Sequence, residues 1–128
     1  MRFLLDTHTL IWWMTNDPHL SDGARRLIAQ RGNTSIVSAV SAWEIATKVR
    51  LGRLPSAADM IEDFVGDIQR QQMEILDVSA QHGIRAGTLP GPHKDPFDRM
   101  LIAQALAENI PIVSNDQALD GYAVRRLW

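Results

Sequence analysis

The 128-residue chain contains no cysteine, which excludes disulfide staples and thiolate-based zinc sites and suits a reducing compartment. Aromatics are scarce at 6%. No apolar run approaches the ~20 residues that a membrane-spanning helix needs, and no basic segment with a small-residue cleavage site frames the N-terminal apolar stretch. Neither charge sign dominates. The formal net charge of -2 gives no global basic footprint for nucleic acid, although a local one remains open. Repeats and low-complexity segments are also missing.

What is present is an ordinary globular composition, 45% hydrophobic and 22% charged, at a length that suggests one domain over residues 1–128 with a core of its own. Short apolar runs alternate with longer amphipathic ones. RFLLD, TSIVS, MEILDV and IPIVS are expected as strands, and YAVRRLW as a short final strand. THTLIWWMTN, SDGARRLIAQ, SAWEIATKVRLG, ADMIEDFVGDIQRQ, SAQHGIRAGTL and DPFDRMLIAQALAEN are expected as helices, with TLPGPHKDP a loop. Strands alternating with helices predict an α/β fold: a short parallel sheet flanked by helices in three α/β/α layers. Ligands of such sheets gather beyond the C-terminal strand ends.

Acids stand at several of those ends. Asp6 closes the first strand, Asp116 follows the fourth, and Asp98 lies in the first turn of the DPFD helix. Each also has a plain structural reading. Asp6 and Asp116 suit helix caps, and Asp95 suits the N-cap of a helix whose first residue is Pro96. Asp98 heads the stripe of Leu101, Ile102 and Ala105, which predicts partial burial. Glu44 is the weakest candidate by spacing. The stripe Ala42, Ile45, Ala46, Val49 points away from it, Ser41 through Glu44 matches a capping box, and Lys48 is placed for a surface ion pair. Caps alone explain poorly why several convergent ends carry acids. Carboxylates a few ångströms apart repel unless protonated or bridged by a cation. A hard divalent ion such as Mg²⁺ or Mn²⁺ takes oxygen ligands and suits phosphodiester hydrolysis.

The segments FLLDTHTLIWW, SAVSAWEIATKVRLGRL and HKDPFDRMLIAQALAENIPIVSND, in this order and spacing, resemble PIN-domain ribonucleases, in particular VapC-type toxins of toxin–antitoxin pairs. The resemblance covers nearly the whole chain. It implies a Mg²⁺-dependent endoribonuclease whose catalytic and metal-binding acids fall on Asp6, Glu44, Asp98 and Asp116, supported by Thr7, Ser114 and Asp95. It implies an RNA substrate, a cognate antitoxin that lays an amphipathic segment over an apolar groove, a homodimer, and a cytoplasmic location with no membrane association. Trp12, Trp13 and Trp43 are candidates for that groove, against a plain role in core packing. Lys48, Arg50, Arg53, Lys94 and Arg99 flank the acid-bearing segments and are candidates for phosphate contacts. His8 is expected to be structural or partner-facing. His19, His82 and His93 show no ligand spacing, so no metal is assigned to them. Two alternatives stand beside this reading. One is a haloacid-dehalogenase-like phosphatase with Asp6 as nucleophile, suggested by FLLDTHTL although His8 replaces its second aspartate. The other is an inert RNA- or partner-binding module.

Overall fold

A computed structural model describes residues 1–128. The strands are β1 (Arg2–Leu5), β2 (Thr34–Ser38), β3 (Glu74–Leu76), β4 (Ile112–Val113) and β5 (Arg126–Leu127). They form one sheet in the order β3-β2-β1-β4-β5, and every neighbouring pair is parallel. The helices are α1 (Thr7–Met14), α2 (Asp22–Ala29), α3 (Ala39–Arg50), α4 (Phe64–Arg70), α5 (Ala80–Thr88) and α6 (Pro96–Glu108), with 3₁₀ turns at Pro55–Ile61 and Gln117–Gly121. The expected α/β/α architecture is therefore observed. No helix is long and apolar enough to cross a membrane.

Strand alternation explains the two cores. Successive side chains point to opposite faces. Phe3, Leu5, Val37 and Val113 pack on one face with Leu10, Ile11 and Ile68. Leu4, Ile36 and Ile112 pack on the other with Leu101, Ile102 and Ala105. The strands are apolar on both faces because both are covered. At the exposed margin, the Arg2 guanidinium makes a two-pronged pair with Glu74 at 3.1 and 2.9 Å.

Two helices depart from expectation. The segment ADMIEDFVGDIQRQ is not one helix but a 3₁₀ turn followed by α4, because the Asp63 carboxylate accepts from the Gly66 N–H and starts a new helix there. And α3 begins at Ala39, capped by Ser38 through the Val40 N–H, rather than at Ser41. Ser41 is buried and pairs with the Thr7 hydroxyl at 2.9 Å, so the capping box with Glu44 does not form.

The central strands set the stage for the site. β1 lies between β2 and β4, and Leu5 is level with Val113. One residue further along, Asp6 and Ser114 leave the sheet side by side at its C-terminal edge. At this point the chain order reverses across the sheet, so the crossovers on either side diverge and leave a crevice.

Candidate metal centre

Asp6, Glu44, Asp95, Asp98 and Asp116 all line one cleft of about 560 Å³, together with His8, Trp12, Lys48, Asn115 and Gln117. Four separate elements deliver the four principal acids. Asp6 follows β1, Glu44 projects from α3, Asp98 from the first turn of α6, and Asp116 from the loop after β4.

Asp6 occupies the N-cap position of α1, yet its carboxylate makes no capping hydrogen bond. It accepts instead from the Ser114 hydroxyl at 2.6 Å. Ser114 is fully buried, and its oxygen also accepts the Asp116 N–H at 3.0 Å, so one hydroxyl ties two of the acids together. Asp6 is 8% exposed. Burial pushes its carboxyl above the usual range, with Glu44 adding to the effect and Ser114 opposing it.

Glu44 reverses the expectation from its helix face. It is 2% exposed, whereas Ala46, a member of the stripe expected to be buried, is exposed. The buried face of α3 is Val40, Ser41, Glu44 and Ile45. The reason is that α3 packs against both α1 and α6. The polar corner where these helices meet, Ser41 against Thr7 and Glu44 against the cleft, is covered by neighbours and not by water. Glu44 Oε2 pairs with Lys48 Nζ, and Glu44 Oε1 has no partner at all. An unpaired buried carboxylate oxygen is costly. Here it belongs to a residue lining the acidic cleft, so a cation there would satisfy it.

Asp95 caps α6 as expected, accepting from the N–H groups of Phe97 and Asp98. Asp98, with its side chain 24% exposed, has its carboxyl pushed up to about 7 by burial and by the charges of Asp95, Asp6 and Glu44, against the opposing pull of His93. Lys48 is the only lysine or arginine lining the cleft and it is held at Glu44, so the crowded acids are not fully compensated. Asp116 caps the following 3₁₀ turn through Oδ1, bonded to the Ala118 N–H at 3.0 Å, and keeps Oδ2 free of that duty. The four carboxylates, the orphaned Glu44 oxygen and the raised Asp98 carboxyl together fit a hard divalent cation. Asp6, Glu44, Asp98 and Asp116 would hold it.

The other expected residues fall into distinct places. Thr7 is buried and occupied by Ser41, so it braces α1 against α3. Lys48 is held at Glu44 and lies 6.0 Å from the centre of the Phe97 ring. Arg50, Arg53 and Lys94 are exposed. Arg99 is not available for phosphate: its guanidinium donates to the carbonyls of Ala86 and His93, each at 3.0 Å, and to that of Leu89. Trp43 is 62% exposed and stands edge-on to Phe97 at 4.8 Å. Trp12 lines the cleft and stacks on His19 at 5.4 Å.

Two histidines lie closer to the acids than sequence spacing implied. His8 lines the cleft. His93 Nε2 stands 3.2 Å from Asp98 Oδ2 and 3.7 Å from Asp116 Oδ2. Its only sequence signal is position: HKDPFD places it five residues before Asp98, in the loop that feeds α6.

The PIN domain family model matches residues 3–124 of the sequence. No curated protein matches it. Among solved structures, the fold is similar to a chain in VapBC2 from Rickettsia felis bound to a DNA fragment from their promoter. The TM-score is 0.70 at 19% identity, over 99% of this chain and 98% of that one. It is also similar to a chain in VapBC-1 from nontypeable Haemophilus influenzae, with a TM-score of 0.60 at 16% identity over 99% and 97%. With a parallel sheet, an acid-lined cleft at its C-terminal edge and a family match across almost its whole length, the chain belongs to the PIN-domain family.

Proposed function

We propose that this protein is a metal-dependent endoribonuclease, the toxin of a VapC-type toxin–antitoxin pair. The observation that carries the reading is the convergence of Asp6, Glu44, Asp98 and Asp116 from four elements on one cleft, with Glu44 buried and one of its oxygens unpaired. Mg²⁺ or Mn²⁺ bound there supplies Lewis-acid polarisation of a phosphodiester and lowers the pKa of water. The protein's own residues fix the donors. Ser114 orients Asp6 toward the cleft, Lys48 holds one oxygen of Glu44, and Asp95 fixes the first turn of α6 and so the aim of Asp98. Hydrolysis adds water at phosphorus and releases the 3′ oxygen as a hydroxyl, leaving a 5′-phosphate downstream.

RNA is the substrate on this reading. Arg50, Arg53 and Lys94 remain candidates for phosphate contacts because they are exposed near the acid-bearing segments. The partner is a cognate antitoxin, supported by the fold's likeness to chains of two VapBC complexes. Trp43 is the best-exposed tryptophan candidate for such a contact. We also infer a homodimer acting in the cytoplasm, as its relatives' pattern implies. The phosphatase alternative, with Asp6 as nucleophile, gives Glu44 no task, so the buried Glu44 favours the cation site.

The test is cleavage of a mixed RNA pool by purified, antitoxin-free protein, with a small phosphomonoester in parallel. Cuts that need Mg²⁺ or Mn²⁺, stop with EDTA and vanish in Asp98→Asn are expected. Intact RNA with a hydrolysed monoester would point to the phosphatase. Intact RNA and intact monoester, with RNA still bound, would point to an inert binding module.

A further inference from the structure

The four acids leave His93 without a role; it lines not their cleft but a second hollow with Pro92, Lys94, Ala118 and Tyr122, and from there it reaches Asp98 and Asp116. Both polar atoms of its backbone are fixed. Its N–H donates to the Tyr122 hydroxyl at 2.9 Å, and its carbonyl accepts from Arg99 Nη1 at 3.0 Å. Arg99 also holds the carbonyls of Ala86 and Leu89, so one guanidinium ties the end of α5 and the 89–95 loop to α6. Gly91 permits the close packing of this loop. Its φ is +126°, and a Cβ there would meet the Tyr122 ring at 2.5 Å. The loop therefore presents His93 from a fixed backbone.

The imidazole is placed for metal contact more than for a hydrogen bond. Nε2 is buried and has no aligned hydrogen-bond partner, despite lying 3.2 Å from Asp98 Oδ2 and 3.7 Å from Asp116 Oδ2. Ligands at about 2.1 Å around an octahedral ion stand about 3.0 Å apart when adjacent and about 4.2 Å when opposite. The 3.2 Å separation from Asp98 is near the adjacent value, the 3.7 Å one from Asp116 is longer than it, and the three donor atoms all fall within 4.8 Å of one another, so a small inward shift of side chains brings them onto one ion. Independently, Asp98 and Asp116 line the cleft that also holds Glu44, whose buried Oε1 has no partner and would be satisfied by a cation.

We propose that His93 is a direct nitrogen ligand of the metal, joining Asp98 and Asp116, and that it biases the site toward Mn²⁺ over Mg²⁺. The inference rests on the metal-site reading above and extends it. A borderline imidazole nitrogen favours later first-row ions, whereas Mg²⁺ strongly prefers oxygen. The donor chemistry supports a mixed site in which the carboxylates of Asp98 and Asp116 balance the charge of the ion and His93 sets its preference.

The experiment uses tag-free, full-length protein at pH 8 with substoichiometric Mn²⁺, so that no added histidines compete. Pulsed electron paramagnetic resonance reads ¹⁴N coupling to bound Mn²⁺, and calorimetry reads affinities for Mn²⁺ and Mg²⁺. Wild type is expected to show imidazole coupling, which His93→Gln loses and His8→Gln retains. His93→Gln is expected to weaken Mn²⁺ about 10-fold or more while weakening Mg²⁺ less. The wild-type spectrum answers the question even if the variant folds poorly. Mn²⁺ bound tightly without nitrogen coupling would overturn the His93 assignment and leave the carboxylate site standing. Coupling that survives His93→Gln and is lost in His8→Gln would move the nitrogen ligand to His8 and overturn it equally. No Mn²⁺ bound at all would overturn the carboxylate metal site itself, and His93 with it.

Discussion

Replacing Asp98 by asparagine should stabilise the metal-free protein at pH 8 while abolishing its response to divalent cations. In the folded chain burial, then Asp95, Asp6 and Glu44, raise the Asp98 carboxyl from 3.8 to about 7. The folded state therefore holds a proton that the unfolded chain releases near pH 4. Between these values folding takes up a proton, so metal-free stability falls as pH rises from about 4 to about 7 and then levels off. The full gap corresponds to at most ~4 kcal/mol. Solvent screening at this partly open cleft reduces the expected cost to about 2 kcal/mol. The Asp98→Asn substitution removes that charge, and the loss of a favourable helix-dipole contact subtracts a few tenths of a kcal/mol. For a chain of this size the net gain is a rise in Tm of about 5–8 °C at pH 8, shrinking toward zero near pH 4. Wild type at pH 8 should gain about 2.7 kcal/mol from cation at a hundred times Kd, and Asp98→Asn little or nothing. The assay is thermal unfolding followed by circular dichroism at pH 4 to 8, with EDTA or with Mg²⁺ or Mn²⁺. A metal-free Asp98→Asn protein that is less stable than wild type at pH 8 would refute the reasoning, because Asp98 would then be a net stabilising charge.

Other perturbations test the supports of the cleft. Lys48→Met removes the only cation paired with buried Glu44 and should cost the metal-free protein about 3–5 kcal/mol in urea unfolding. Saturating divalent cation should recover part of that loss. Ser114→Ala removes the 2.6 Å hydrogen bond to Asp6. It should cost about 1.5–3 kcal/mol in stability and weaken cation binding about 10- to 100-fold by calorimetry; unchanged affinity would mean that Asp6 is not a ligand. Arg99→Lys cannot span the carbonyls of Ala86, Leu89 and His93. Amide hydrogen exchange in residues 89–95 should accelerate while β1 and β4 stay protected. Trp43→Ala removes an edge-on contact with Phe97 and should cost only about 0.5–1.5 kcal/mol. A Trp43→Ala protein that stays folded but no longer co-purifies with the proposed antitoxin would place Trp43 in that interface.

How much of this is legible in the amino-acid order differs from residue to residue. The alternation of RFLL, TSIVS, EIL and IPIV with amphipathic segments carries the parallel sheet, because a strand buried on both faces must be apolar at every position. Asp95-Pro96 marks the start of α6 through local cap chemistry alone, and Asp98 one turn later heads a partly buried stripe in the sequence and in the structure alike. Asp6 at the end of β1 is visible for the same local reason. In each case the determining interactions lie within a few residues along the chain.

Glu44, Arg99 and His93 are decided elsewhere. The apolar spacing of α3 points its main stripe away from Glu44 and suggests a merely structural residue, but α1 and α6 pack against that helix and leave Glu44 2% exposed. Arg99 has the chemistry of a phosphate contact, but three carbonyls from α5 and its following loop reach its guanidinium first. His93 has no neighbour at ligand spacing, yet the fold of the 89–95 loop brings it to Asp98 and, across the chain, to Asp116. By itself the sequence determined the layered sheet, the caps and the presence of acids at the strand ends, since periodicity and capping act over a single turn or strand. Only the tertiary structure decided which of those acids share one charged cleft and which polar side chains are already satisfied, because electrostatic repulsion and burial depend on distances through space.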